Sequence, residues 1–233
     1  MKLLSLTTLL FLFACICQND HLKVESSAAP NAQEDSLNSK AFDLQNHLNN
    51  YQNLKNRIAE QKDSLIANDF AKEQFSILLY DSIFPYWHGT AWDFNGISEK
   101  PRDGEIACGY FVSTTLRDLG FNINRYRIAQ KASSEIVNSF CEKKYTRTFR
   151  KRKDVLQFLN GLEDGEICIV GLSYHVGFVC KKNESTRFVH STFVGPSCVI
   201  DEAADSSSVF ENSDIYVIGR LNASDYSMKK WLQ

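Results

Sequence analysis

Three side chains in this sequence have the types and order that covalent catalysis at a carbonyl requires. Cys108 heads the apolar run Cys108-Gly109-Tyr110-Phe111-Val112. Phe111, Val112, Thr115, Leu116 and Leu119 recur at spacings of three and four, and Gly120 stops the run, so the pattern predicts a helix opening at the thiol. A cysteine in a first helical turn faces unpaired backbone N–H groups and the positive end of the helix dipole. Both favour thiolate over thiol, which predicts a lowered pKa and a thiolate–imidazolium pair with the base. The backbone N–H of Cys108 is also placed to hold an oxyanion. His175 follows 67 residues on, heading the strand-like run Val176-Gly177-Phe178-Val179, and His190 a further 15 on, near the end of Phe188-Val189-His190-Ser191. Nucleophile, base and a polar group that orients the base are the parts of a thiol hydrolase. Ser191 is the local alternative for the third place. Cys141, Cys168, Cys180 and Cys198 lie in apolar runs without partner motifs and are expected to be buried small hydrophobes.

The elements that must hold these residues read as helices first and strands second. Residues 132–141 and 154–162 have helical apolar spacing, and residues 166–172, 175–180, 187–192 and 214–221 are strand-like, with turns between them. That order is an α+β pattern, a helical half followed by an antiparallel sheet. Upstream, the stripe Phe42, Leu44, Leu48, Tyr51, Leu54, Ile58, Leu65 and then Phe70, Phe75, Leu78, Leu79 and Ile83 predicts an amphipathic helical arm with a break near Asn68-Asp69. Pro85 is expected to end it, because proline disfavours helix in the residue before it. The stripe packs on the domain behind it or binds a partner. Arg147, Arg150, Lys151, Arg152 and Lys153 form a basic cluster, read as the solvated start of a helix or as a contact with an anionic polymer or membrane.

The N-terminus reads as an export signal. Met1-Lys2 is basic, and residues 3–13 form an apolar stretch too short to span a bilayer. It ends in Leu12-Phe13-Ala14-Cys15, which resembles the lipobox of bacterial lipoproteins. That resemblance makes Cys15 the lipidated residue and the attachment to a membrane, with Cys17 a second candidate. The polar residues 18–40 cannot bury enough surface to fold alone and read as a tether. The chain has 233 residues and a net charge of -2, a balance that gives no reason to expect nucleic-acid binding. Seven cysteines without a C-x-x-C pair argue against a zinc site or a disulfide framework, and no cofactor is implied.

From Pro85 to about Leu221 the chain resembles the NlpC-type branch of the papain-like cysteine peptidases, enzymes that cleave cell-wall peptides. The matches are Pro85-Tyr86-Trp87-His88-Gly89, then Cys108-Gly109-Tyr110-Phe111-Val112, then His175-Val176-Gly177-Phe178, then His190. Two positions depart from the family: Ala107 stands where an Asp is usual, and Gly109-Tyr110 where Ser-Gly is usual. The resemblance implies a papain-like fold, Cys108, His175 and His190 as catalytic residues, and Tyr86 as a hydroxyl that helps bind the oxyanion or substrate carbonyl. It divides the chain into a signal peptide (1–14), a tether (15–40), a helical arm (41–84) and a hydrolase domain (85–233). The function implied is an exported, lipid-anchored cysteine hydrolase of amide bonds in peptidoglycan stem peptides, working through an acyl-enzyme. The alternative is a non-catalytic lipoprotein of the same fold that binds a partner.

Overall fold

The sheet sits at the centre of the described chain. The computed structural model describes residues 42–65 and 70–233; the expected signal, the tether and Cys15 lie outside them. In chain order the elements are α1 (Leu44–Leu65), α2 (Ala71–Ser76), a π-helical stretch (Ile77–Ile83), α3 (Phe84–Trp87), α4 (Cys108–Asp118), α5 (Arg125–Ala129), α6 (Ser133–Phe140), a 3₁₀ turn (Lys143–Tyr145), β1 (Thr146–Phe149), α7 (Arg152–Asn160), β2 (Ile167–Leu172), β3 (Val176–Lys182), β4 (Ser185–Ser191), β5 (Val199–Ala203), α8 (Ser208–Glu211), β6 (Tyr216–Arg220) and α9 (Asp225–Leu232). The six strands form one antiparallel sheet in the order β1-β6-β2-β3-β4-β5. The coarse α+β class stands. Among the described residues no helix is long and apolar enough to cross a membrane.

Both faces of the sheet are covered. Ile167, Ile169, Phe178, Cys180 and Val189 join a large core with α1, α2, α4, α6 and α9, while Cys168, Val170, Val179, Phe188 and Ile218 join a second core under α7 and α8. This two-sided burial explains why β2 reads as a continuous apolar run instead of alternating.

The arm is part of this core. Tyr51, Leu54, Ile58, Phe75, Leu79 and Ile83 are buried in the same cluster as Phe111 and Leu116 of α4. Hydrogen bonds lock it in place: the Tyr51 hydroxyl donates to Asp118 and accepts from Trp87 Nε1, both at 2.8 Å. The expected division into arm and domain therefore gives way to a shared core, and the stripe packs against the domain behind it. Pro85 does not end the helix at Phe84, which keeps helical angles (φ -57°, ψ -41°). Proline opens the last turn, preceded by the wider π-helical stretch, where the ring's clash with the preceding turn is relieved. The basic cluster is not a plain helix start either. Thr146–Phe149 pairs with β6 as an edge strand, and α7 begins only at Arg152; charged residues on an edge strand guard it against further pairing.

Candidate active site

Cys108 is the first residue of α4, as its sequence pattern predicts. The first helical backbone bond closes from Phe111 N–H to Ala107 O at 2.8 Å, so the N–H groups of residues 108–110 precede the ladder. Gly109 leaves no room for a side chain: a Cβ there would lie 2.4 Å from the Ala129 carbonyl oxygen. Its absence lets α5 lie against the thiol end of α4. The peptide just before the helix is tied to β4 by the Ser191 hydroxyl, which donates to Ile106 O at 2.6 Å. Ser191 thus holds the cleft together and is not the third member of the site.

His175 lies in the turn before β3, and His190 is the penultimate residue of β4. Their rings meet through His175 Nε2 and His190 Nδ1 at 2.8 Å. Gly177 permits the approach, since a Cβ there would stand 2.7 Å from His190 Cβ and 3.0 Å from Val189 O. Phe188 stacks on the His190 ring with centroids 4.0 Å apart. The chain of contacts then continues to a residue the sequence reading missed. His190 Nε2 meets Glu202 Oε1 of β5 at 3.0 Å.

The tautomers follow from that carboxylate. Burial pushes Glu202 up, but hydrogen bonds from His190 and Ser207, with the positive charge nearby, outweigh it and hold the group below its usual range. An ionised carboxylate only accepts, so His190 donates through Nε2–H and its Nδ1 becomes the acceptor. His175 must then donate through Nε2–H, which leaves Nδ1 with a free lone pair. His175 Nδ1 is indeed buried with no hydrogen-bond partner among the described residues, as are His88 Nε2 and Trp92 Nε1.

His175 also lines the cavity that holds the thiol. Cys108 and His175 both line a cleft of about 620 Å³, together with Trp92, Phe94, Tyr110, Tyr174 and Phe193. Cys108 is half-buried. The N–H of Val176, the residue after the base, is directed at its sulfur, as are those of Gly109 and Cys108 itself. No hydrogen bond joins the Cys108 sulfur to the His175 ring, so the thiol and the imidazole are neighbours in the cleft without direct contact.

The electrostatics correct one expectation. Burial pushes the Cys108 thiol up, and the three N–H groups only partly offset it. Burial, then the neighbouring His190, push His175 well down, and burial also lowers His190 against the pull of Glu202. The resting pair is therefore thiol and neutral imidazole, not thiolate and imidazolium, because desolvation outweighs the helix-end field here.

Tyr86 is the other correction. Its ring packs on His47 (5.0 Å) and Tyr51 (5.2 Å) of α1, its carbonyl accepts from His47 Nε2 at 3.0 Å, and it does not line the cleft. The arm claims the residue that the motif assigned to the substrate. Trp92, sixteen residues before the thiol, lines the cleft instead, and its buried Nε1 has no partner. The other four cysteines among the described residues are buried, as expected. A scan of protein-family models, a search of curated proteins and a search of solved structures each find no match to this chain.

Proposed function

We propose that the chain is an exported, lipid-anchored cysteine hydrolase that cleaves amide bonds. The observation that carries this reading is the relay Glu202–His190–His175, which leaves Nδ1 unpartnered in a histidine lining the same cleft as Cys108. His88 Nε2 is also buried without a partner among the described residues, but His88 does not line that cleft, as a base for Cys108 must.

In this mechanism Cys108 attacks the carbonyl as His175 Nδ1 takes the thiol proton, so the ion pair forms during attack and not before. The N–H groups at the start of α4 receive the developing oxyanion. The imidazolium, supported through His190 by the Glu202 charge, gives its proton to the leaving amine. Water, deprotonated by the same nitrogen, releases the thioester acyl group and restores the thiol. His175, His190 and Glu202 set the direction of proton transfer; no cofactor takes part.

Peptidoglycan stem peptides are the substrate that the family resemblance implies, and lipidation at Cys15 the anchor that the lipobox resemblance implies. Incubating the purified protein with wall fragments, then identifying products by mass, tests the chemistry. The expected result is a new amine and a new carboxylate per turnover, lost in Cys108→Ser. Cleavage at the parental rate by Cys108→Ser overturns the cysteine mechanism and makes the thiol structural; no cleavage by the parent protein overturns the hydrolase and leaves the partner-binding lipoprotein.

A further inference from the structure

The walls of the cleft carry information that the catalytic residues do not. None of the described residues lining it is Asp, Glu, Lys or Arg. Its lining is dominated by aromatic and aliphatic side chains, and several are large apolar groups left open to solvent: Tyr174 is 92% exposed, Phe94 78% and Ile97 50%. Single exposed apolar residues are ordinary, but several converging on one concave site mark a surface that something apolar covers. From this we infer that the scissile amide is flanked by uncharged apolar residues, and that the residue supplying the carbonyl is bulky and apolar. The inference rests on the hydrolase reading of the same site, and it favours uncharged peptides over the charged stem peptides that the resemblance implies.

The chemistry orients the substrate. The amine departs toward the proton donor, His175, whose ring is 6.0 Å from that of Phe193; Phe193 in turn lies 5.6 Å from Trp92. The acyl residue therefore lies on the other side of the sulfur, over the start of α4, between Tyr110 and Ile97. A carboxylate or ammonium placed there sheds water, and the nearby Arg125, which stacks on Tyr110 at 5.0 Å, is already paired with Glu99 and with Ile97 O, so the charge is rejected. An aromatic or branched side chain instead buries its surface against the Tyr110 ring.

Peptidyl vinyl sulfones that differ only in the residue facing Cys108 test this on the full chain. In each, the sulfur adds to the vinyl carbon and the adduct mass reads the rate at Cys108. Phenylalanine and leucine probes are expected to react about 100-fold faster than glutamate and lysine probes, a span typical of a pocket that reads hydrophobic against mismatched groups. All should slow sharply in His175→Ala. Ile97→Arg, a change at an exposed position outside the catalytic relay, should raise the glutamate probe's rate and lower the lysine probe's. Glutamate or lysine probes that match or exceed phenylalanine overturn the inference while leaving the hydrolase intact. Probes that react at Cys108 no differently in parent and His175→Ala overturn the hydrolase reading, and the inference with it.

Discussion

Cys108 and the cysteines of the sheet are the same residue type in opposite surroundings. Cys168 and Cys180 sit on adjacent strands, fully buried, their thiols pushed far up by burial with nearby acidic groups adding to it. Cys141 is pushed up to about 12 under α6. Cys108 also feels burial, but it opens a helix, keeps a face on a cleft, and has three backbone N–H groups aimed at it. The contrast teaches that reactivity is assigned by what stands opposite the sulfur. The strand thiols face packed side chains; the helix thiol faces donors and, across the cleft, a base.

The comparison is broken most directly by exchanging the thiols' fates. Cys108→Ser should lower hydrolysis by ~10³-fold or more, measured as product formed per folded molecule, whereas Cys168→Ser should lose folded protein but keep the specific activity of what folds. Next, His175→Ala should cost nearly as much as losing the sulfur, because members of one unit are not additive; a loss under tenfold would show that the thiol works without this base.

Glu202→Gln sharpens the comparison further. A neutral amide no longer fixes the His190 tautomer, and outer-shell partners of this kind typically govern activity by about 10- to 100-fold. The loss should appear in kcat with circular dichroism unchanged. Alkylation by iodoacetamide gives the next effect in size. Cys108 should be modified first among the described cysteines, and its rate should climb with pH to a midpoint above the ordinary thiol value of 9.0, since burial raises it. A midpoint below neutrality would restore the preformed ion pair.

The smallest effect concerns stability. His175 and His190 are lowered in the fold from 6.5, so the unfolded chain binds their protons first. The stability they withhold is absent near and above pH 6.5 and grows as a penalty as pH falls toward their folded values, at most about 1.4 kcal/mol per pH unit for each. Urea midpoints should therefore drop between pH 7 and pH 5, and drop less in His190→Gln.

The site residues that local pattern could reveal were those beside glycines and apolar runs. Cys108 announced a helix start, and His175 and His190 bracketed strands. Glu202 could not be read this way. It reaches His190 only through the register of β4 on β5, in which Phe188 lies opposite Glu202 and His190 opposite Ile200, putting the carboxylate diagonally across the same face. The stretch Val199-Ile200-Asp201-Glu202-Ala203 puts two apolar residues before two acidic ones and does not alternate, so it carries no local strand signal. Tyr86 failed for the converse reason. Its motif was local, but which side of the ring meets the cleft is decided by α1, a segment far upstream. The edge strand β1 was masked by Arg147 and the basic residues that follow it, whose charge suits solvent more than it signals pairing.

The bond from Ser191 to Ile106 spans 85 residues of chain. A polypeptide emerging from its N-terminus completes α4 long before β4 and β5 exist, and closing so large a loop is among the slow steps of folding. Until then the sulfur has no His175–His190–Glu202 chain opposite it. On the proposed hydrolase reading, cleavage competence arrives with the last third of the molecule, so an unfinished or truncated copy carries the thiol without the means to use it.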